Sequence, residues 1–589
     1  MRKLAFLLLL CLISCGDAER KANGMLSDEE NVKIKEYITK QFQAKKSVNL
    51  KRTFGTNLKG LKLTGVSLAG EDLSGVDFSG AELARVDFSG ATLDNVILTN
   101  AIIQESDFSG IVFKKLIAPG VDFQASIFIG ASFEEANVIG ANFEEADFSN
   151  TKIHNSRFDQ VNMAKAIVKN AEIVNVNFQK ANLTSIDLSG SKINNTAFFG
   201  VDIRSAIMSG VLVDLCSFES SDLSTLKVKN STFTKSDFNQ SILDDVSFSE
   251  GSKFDNVNFD NSSMKSVNFS NITINNSSLR SVVMSNSMLS EVRIQGTDLD
   301  EVKLVGAKIS KSYFSDISGS NIHFNKVPIK ELKITNSTLI RPIFSAETAS
   351  KLVLDNVSMV SAYFDNYNFE DCSFTKADLS KTIFRNSKIA RVVFSKSNLT
   401  QSAIINADMQ SITFDNTTIT NAQLRGVNSV AMVVINTVLN NCVLFNNKGF
   451  ERVVSNDSIS SLNELLVRKD LSGMNLSFID LSGVNITQVI FKGTVLRGVK
   501  LNNAKIKSCL IIEADLSNTD LTNTDFTGSE IRGSIFYSAL LNKTNLSSTK
   551  LTDLDFSRSI VQSVLLDNAK LESVSGLTPH IVASDNAKK

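Results

Sequence analysis

An apolar residue recurs at every fifth position over almost the whole chain. The series runs through three blocks, at positions 58–248, 254–444 and 471–571, which together hold 99 pentapeptides. A helix repeats every 3.6 residues and a strand every 2, so neither element alone explains a period of five. A series of this length predicts a repeat architecture rather than several unrelated domains.

A second column of residues fixes the phase of the repeat. Two positions before each central apolar residue stands a small or β-branched residue, and of the 39 phenylalanines 32 occupy the central position. Two apolar side chains separated by one polar residue predict a short extended piece followed by a corner. Such a chain must coil, and each coil must cover the apolar face of the next because one coil cannot bury its own.

These residues resemble the pentapeptide-repeat family, whose motif is A-(D/N)-L-x-x. The motif is matched at Ala141-Asn142-Phe143, Ala181-Asn182-Leu183, Ala377-Asp378-Leu379 and Ala514-Asp515-Leu516. The resemblance extends over nearly all of residues 56–573. It implies an all-β solenoid, a right-handed quadrilateral parallel β-helix with four pentapeptides per coil and short capping or insertion helices. Residues 20 apart should then stack, as in the column Phe158, Phe178, Phe198, Phe218 and Phe238.

The first residues resemble a bacterial lipoprotein signal peptide. A positive start precedes the ten-residue apolar stretch 4–13, which is too short to cross a bilayer. Residues 12–15, Leu-Ile-Ser-Cys, are similar to a lipobox. The resemblance implies that residues 1–14 are removed and that Cys15 carries the lipid that holds the protein on a membrane. The alternative is an ordinary secretory peptide cut near Ala18, which would leave a soluble product.

Helical signals occur at both ends of the repeats. Residues 15–26 are expected to form a tether and residues 27–50 a capping helix, with Ser27 and Glu30 as a capping box. Its predicted apolar stripe consists of Ile34, Tyr37, Ile38 and Phe42. Residues 574–589 are expected to form a C-terminal cap or tail, in which a short helix begins with Thr578 and Pro579.

The predicted β-helix occupies residues 51–444 and 471–573, and two interruptions break the repeat. One extra residue near position 250 predicts a bulge at a corner. Residues 445–470 carry leucines at helical spacing, which predicts a helical insertion beside one continuous solenoid or a joint between two stacked solenoids. The sequence leaves both possibilities open.

The candidate reactive residues do not converge. Four cysteines beyond the signal peptide take the small inward position, so we expect buried thiols without disulfides: Cys216, Cys372, Cys442 and Cys509. The histidines are expected to lie far apart, at His154, His323 and His580. The carboxylates at 134–135 and 144–145 predict a solvated charged edge. We therefore expect no catalytic residue, no cofactor site and no metal site.

The net charge and the predicted export of the protein favour some functions over others. Some members of the family that the motif resembles imitate duplex DNA and protect gyrase from quinolones, a task that needs a dense anionic surface. Residues 51–250, ten predicted coils, hold 17 basic and 25 acidic residues, a net charge of 17 − 25 = −8. Duplex DNA as long as these ten coils carries roughly 28 negative charges. The sequence favours a non-enzymatic, lipid-anchored scaffold of the bacterial cell envelope, with the bilayer and an envelope protein as partners. The alternative is an adhesin that binds a polysaccharide, and a gyrase-protecting DNA mimic is the weakest reading.

Overall fold

The structure is a computed structural model that describes residues 24–437, 439–445, 447–448, 459 and 462–577, together with the backbone of 581–582. Contacts divide the chain into two compact units, with the boundary between Lys308 and Ile309. We call them unit 1 and unit 2, and each is described by itself.

Unit 1 is a parallel β-solenoid built from very short strands. Each pentapeptide forms one side of a coil, and each coil pairs with the next in parallel at a spacing of 20 residues, as in Phe113 with Phe133 and Phe133 with Ile153. The strands of unit 1 are Lys62–Thr64, Glu82–Ala84, Val112–Lys114, Ser132–Glu134, Lys152–His154, Glu172–Val174, Lys192–Asn194, Ile207–Ser209, Leu212–Asp214, Lys227–Lys229, Thr232–Thr234, Ser247–Ser249, Lys253–Asp255, Asn268–Ser270, Thr273–Asn275, Met288–Ser290 and Arg293–Gln295.

The remaining sides of each coil pair through single parallel bridges, such as Asn142 with Asn162 and Asp147 with Ile167. At each corner, two residues after the central one, the backbone has a positive φ, for example 60° at Asn150 and 74° at Gly190. Glycine and asparagine enter this left-handed region at low cost, which explains their frequency at corners. A Cβ on Gly190 would also come within 2.2 Å of the Asn170 side-chain oxygen one coil below.

The central residues fill the interior, as the sequence predicts. Phe198 is 1% exposed, and its ring stacks on Phe178 at 5.3 Å and on Phe218 at 4.6 Å between centroids. The residues two positions earlier, such as Val176 and Val201, are buried beside them. The predicted square coil and its 20-residue register are therefore confirmed by the strand pairing.

The extra residue near position 250 is accommodated at a corner of unit 1. Glu250 and Gly251 both have positive φ, 55° and 80°. Thr232 pairs with Leu212, 20 residues before it, and with Lys253, 21 residues after it. The surplus residue bulges at the corner while the inward phase is restored in the following coil.

Two helices cover the first coil of unit 1. Helix α1 (Asp28–Gln43) begins with the predicted capping box, in which Ser27 and Glu30 accept hydrogen bonds from each other's backbone N–H groups. Ile34 and Ile38 are buried, and Asn31 accepts a hydrogen bond from the backbone of Lys62 at 2.8 Å. Helix α2 (Leu50–Phe54) follows.

The predicted apolar stripe of α1 is wrong at its last position. Phe42, in the last turn of the helix, is 72% exposed. Tyr37 packs edge-on against Phe54 of α2, with 5.3 Å between ring centroids.

Unit 2 has the same repeat, and several of its strands are longer, up to the 12 residues of Ile329–Ile340. Its one helix among the described residues is α3 (Leu462–Val467). The strands are Lys308–Ser315, Ser318–Ser320, His323–Asn325, Ile329–Ile340, Ile343–Ser350, Val353–Ser358, Tyr363–Glu370, Ser373–Thr375, Ile383–Arg385, Lys388–Ala390, Val393–Ser395, Ala403–Ile405, Asp408–Gln410, Thr413–Asp415, Ile419–Thr420, Gln423–Arg425, Asn428–Val430, Val433–Ile435, Leu439–Asn440, Val443–Phe445, Asn485–Thr487, Lys505–Lys507, Leu510–Ile512, Glu530–Arg532, Leu540–Asn542, Lys550–Asp555, Ile560–Gln562, Val564–Leu565, Lys570–Ser575 and Ile581–Val582.

Unit 2 contains two solenoid segments that lie side by side and run in opposite directions. Segment A (309–445) and segment B (471–577) each stack their own coils, and the apolar core of segment B also includes Val443 of segment A. The backbone N–H of Asn475 donates to the Asn421 carbonyl at 3.1 Å, whereas Arg497 donates to the Ser361 carbonyl at 2.9 Å. Later residues of B thus meet earlier residues of A, so B does not extend A end to end.

Both ends of segment B differ from a simple stack. Leu465 of α3 is buried in the core of B, next to Leu471. At the other end, Ile581–Val582 pairs in parallel with Val564–Leu565. The helix predicted to begin at Thr578 falls on residues 578–580, which lie outside the described residues, and the strand at 581–582 contradicts its continuation.

Candidate binding groove

Segments A and B meet through side chains that would otherwise point into solvent. Ile383, Ala403 and Gln423 occupy one outward column of A, and each is 0% exposed. Asn475 and Val495 take the matching outward column of B and are also buried. The side-by-side arrangement is therefore an interior interface of unit 2.

Hydrogen bonds fix the register between the two segments. The Gln401 side-chain amide donates to the carbonyl of Gly493 at 2.8 Å and to that of Gly473. Arg425 donates to the Phe478 carbonyl at 3.2 Å. These contacts join residues 401–425 of segment A to residues 473–493 of segment B.

Residues 321–385 of segment A and residues 478–537 of segment B line a groove of about 350 Å³. The lining contains three arginines, three aromatic rings and several amide or hydroxyl groups, and no carboxylate among the described residues. Its members are Asn321, His323, Arg341, Ile343, Ser361, Tyr363 and Arg385 from segment A, and Phe478, Arg497, Ser517, Asn518 and Tyr537 from segment B.

A stack of two rings and a guanidinium forms one side of the groove. Tyr363 and Phe478 lie 5.8 Å apart, and the Arg385 guanidinium carbon lies 4.4 Å from the Phe478 centroid. Asp365 accepts two hydrogen bonds from Arg385, which raises the pKa of that guanidinium. Burial raises the pKa of the Tyr363 phenol. Cation–π contact and ion pairing together hold this stack in place.

Arg497 lies at the junction between interface and groove. Its side chain is 7% exposed, and it donates to the Ser361 carbonyl and to Asp515 at 3.0 Å. Burial alone would raise the pKa of the Asp515 carboxyl, but the charge of Arg497 and the hydrogen bonds of Ser517 hold that pKa below its ordinary value. The buried Nε of Arg497 has no acceptor in the described part of the chain.

The open wall of the groove carries Arg341 and Tyr537. The Arg341 Nε donates to the Asn321 side-chain oxygen at 3.1 Å, and none of the described carboxylates forms an ion pair with Arg341. Tyr537 is 41% exposed. Cationic groups beside amides and an accessible ring can recognise a small anionic ligand.

Comparison with known proteins now assigns the family. The family model described as Pentapeptide repeats (8 copies) matches residues 54–90, 72–110, 126–164, 171–210, 268–306, 353–389, 393–428, 470–503, 500–536 and 509–547, which together exceed half of the chain. The chain belongs to the pentapeptide-repeat family. No curated protein matches it.

Solved structures of other pentapeptide-repeat proteins are similar over parts of the chain. A trypsin-treated form of QnrB1, a plasmid-mediated fluoroquinolone resistance protein, is 16% identical, with 30% of this chain and 81% of that chain covered and a TM-score of 0.20. HetL, involved in heterocyst differentiation regulation in the cyanobacterium Nostoc, is 18% identical, with 46% and 90% covered and a TM-score of 0.16.

A pentapeptide-repeat protein of the Arabidopsis thaliana thylakoid lumen is 28% identical, with 20% of this chain and 66% of that chain covered and a TM-score of 0.13. The assignment to the family rests on the repeat match and not on these TM-scores.

The cysteines of this pentapeptide-repeat chain occupy the predicted inward position. Cys216, Cys372, Cys442 and Cys509 are all buried. Burial raises the pKa of the Cys216 thiol to about 12, although its backbone hydrogen bonds act in the opposite direction. These thiols therefore pack as small apolar residues.

The other predicted residues are dispersed. Cys15 and His580 lie outside the described residues. His154 lies 3.6 Å from the Glu172 carboxylate, and His323 lines the groove of unit 2. Glu144 and Glu145 both form ion pairs with Lys165.

The described residues contain neither a metal-ligating cluster nor a helix that could span a membrane. In the described ranges there is no group of three His, Cys, Asp or Glu side chains placed to hold a metal ion. In the same ranges, no helix combines the length and the apolar character needed to cross a bilayer.

The repeat phase does not predict the groove, because the phase concerns inward residues. The signal lies in the outward positions of segment A, where one column at 20-residue spacing is apolar at Ile343, Tyr363, Ile383, Ala403 and Val443 and polar at Gln423 between the last two. Phe478 is a second signal, since a bulky aromatic residue is uncommon at a corner with φ of 57°.

Proposed function

We propose that this pentapeptide-repeat protein is a non-enzymatic scaffold of the bacterial cell envelope, anchored to a membrane through lipidated Cys15. The observation that supports it is the docking of segment B on an outward face of segment A. A solenoid side that buries Ile383 and Ala403 against another chain segment has the chemistry of a protein-docking surface. A stack of similar sides can present several such surfaces.

Unit 1 offers a candidate surface of this kind. Ile127, Ile167 and Ile207 alternate with Asp147 and Asp187 in one outward column. The three isoleucines are 39%, 38% and 41% exposed. Apolar residues at regular spacing, separated by carboxylates, fit a broad protein contact better than a buried catalytic site.

The proposed anchor would hold unit 1 close to the bilayer. Leu26 already contacts the first coil, where its N–H donates to the Lys59 carbonyl at 2.8 Å. Eight residues lie between Cys15 and Gly24, and a fully extended chain from one to the other spans about 30 Å. Helix α1 would therefore lie at the membrane-proximal end.

Polar ladders on the surface favour the scaffold over adhesion through those ladders. The Asn142, Asn162 and Asn182 amides each donate to the side chain 20 residues earlier, at 2.8, 2.9 and 2.9 Å. Amides that bond from coil to coil stabilise the solenoid and offer fewer groups to a glycan.

Labelling with radioactive palmitate tests the anchor. We expect label in the full-length protein, loss of label in Cys15→Ala and unchanged label in Cys11→Ala as the matched control. Globomycin should cause the precursor to accumulate. An unlabelled wild type would contradict the lipid anchor and leave a secreted product.

Site-specific crosslinking in cells tests the scaffold. A photoreactive residue at Ile167 should give a discrete adduct with an envelope protein. Adding the double substitution Ile127→Asp and Ile207→Asp to that variant should abolish the adduct. The same probe at Arg157, on the opposite side of the coil, is the control. Absence of an adduct at Ile167, or equal adducts at both positions, would argue against this surface.

A further inference from the structure

The charges that line the groove of unit 2 are not balanced within it. Arg385 is paired with Asp365 and Arg497 with Asp515. Arg341 donates to the neutral Asn321 amide, and across the described residues it has no carboxylate partner. The groove therefore carries one uncompensated guanidinium, which matches a ligand with a single negative charge.

A buried donor provides an independent indication of a ligand. The Arg497 side chain is 7% exposed and lines the groove. Its Nε is buried without an acceptor in the ranges described. A buried unsatisfied donor is costly, so an acceptor supplied by a ligand would stabilise this end of the interface.

The remaining lining groups indicate what accompanies the charge. Asn321 and Asn518 offer amide donors and acceptors for hydroxyl groups. Tyr537 exposes its ring, whose electron-rich face can pack against the C–H groups of a sugar. A volume of about 350 Å³ is at the small end of ligand pockets and suits one or two rings.

We propose that this groove binds a carboxylated sugar, as a free uronate or as part of an acidic saccharide. The planar carboxylate would take the Arg341 guanidinium, the hydroxyls would take the amides, and the ring would lie on Tyr537. A carboxylate fits better than a phosphate monoester, because a phosphate brings close to two charges at neutral pH and the groove offers one. The inference does not depend on the lipid anchor.

Isothermal titration calorimetry on the full-length protein in detergent micelles tests the proposal. The probes are trigalacturonate, trimannuronate and a hyaluronan tetrasaccharide, with neutral trigalactose as the matched control. We expect saturable binding of at least one acidic probe and affinity for the neutral one lower by about tenfold or more. Galacturonate monomer distinguishes the sources, since equal affinity per site would assign the groove to free uronates and a preference for the trimer to polymers.

Variants locate the binding. Arg341→Gln should weaken the acidic probe about tenfold or more, because the exposed guanidinium is removed without loss of a buried contact. Tyr537→Ala should weaken acidic and neutral probes together. Arg391→Gln is the control, since Arg391 is exposed, pairs with Asp371 and lies outside the groove. Melting curves show that each variant is folded.

Three results would overturn the proposal. The first is no binding of any acidic probe, and the second is unchanged affinity in a folded Arg341→Gln. The third is tighter binding of inorganic phosphate or of neutral trigalactose than of the acidic probes.

Discussion

Each inward phenylalanine contacts the rings of the coils above and below it. Phe218 lies 4.6 Å from Phe198 and 4.8 Å from Phe238, and the planes of each pair are within 6° of parallel. Because the coil rise sets these distances, a ring cannot relax toward a neighbour without breaking backbone pairs. The column therefore behaves as a close-packed core in which a missing ring leaves a cavity.

Phe198→Ala should lower the free energy of unfolding by about 4 kcal/mol, because it removes a ring with neighbours on both sides. Phe199→Ala is the matched control, since that side chain is the next residue and is 37% exposed. It should cost less than about 0.5 kcal/mol. Urea unfolding measures both, and equal effects would show that the inward face is assigned wrongly.

Cys216 should resist alkylation in the native protein at pH 8, because the pKa of its thiol lies at about 12 and its side chain is buried. Iodoacetamide labelling followed by peptide mass spectrometry measures this. Labelling in urea should be complete. Leu212→Cys, at a position that is 49% exposed, is the control that should react at once. Rapid native labelling of Cys216 would contradict its inward placement.

At the scale of elements, one nearly buried ion pair of segment B lies at the interface between segments A and B, beside the hydrogen bonds of Gln401 and Arg425. Arg497 and Asp515 are 7% and 12% exposed, and Arg497 also holds the Ser361 carbonyl of the other segment. Removing one partner of such a pair leaves a buried charge, which costs more than the pair itself contributes.

Asp515→Asn should lower the free energy of unfolding by about 3 kcal/mol at neutral pH. The pKa of Asp515 is below its ordinary value of 3.8, so this contribution is fully present above that value and is lost as the pH falls through the lower, folded pKa. The difference between wild type and variant should therefore shrink below pH 4. Urea unfolding at a series of pH values measures it.

Asp525→Asn provides the comparison for that prediction. Asp525 pairs with Lys507 in the same segment at 2.8 Å, but the two side chains are 22% and 41% exposed. The expected cost is below about 1 kcal/mol. If both substitutions had the same small effect, the Arg497 pair would not be what holds the two segments together.

The sequence predicted the structural features that depend on interactions within a few residues. It did not predict the features that depend on contacts between distant parts of the chain. The period of five specifies the inward column, and Ser27 with Glu30 specifies the start of α1, because both act within a few residues. Segment B meets segment A at sequence separations such as 136 residues between Ser361 and Arg497. No repeat phase encodes that contact. The groove followed from this packing and was therefore not predicted.

At the scale of the molecule, stability accumulates coil by coil, because each coil contacts mainly its neighbours. The 20-residue register makes one coil an interchangeable unit. Ile153, Ile173 and Ile193 pair in succession, so the first and third could pair directly if the coil between them were absent.

Deletion of residues 171–190 should leave a folded protein with a cooperative melt, because one whole coil is removed and Phe158 comes to stack on Phe198. Deletion of residues 171–188 is the matched control. It leaves two surplus residues on one side of a coil, so that side overshoots its corner, and we expect a lower melting temperature and proteolysis at the junction. Circular dichroism and limited trypsin digestion distinguish the two, and equal behaviour would contradict a fixed 20-residue coil.

The antiparallel course of segments A and B determines how unit 2 would respond to mechanical force. Handles attached at Asn321 and Tyr537 would pull at the groove end of the interface between the segments. The contacts of the interface would then bear load one after another rather than together. Arg497 would release Ser361 first, Gln401 would release Gly493 next, and the Asn421–Asn475 contact would part last. In an optical trap the segments should separate in small steps at low tension, well before any coil unwinds.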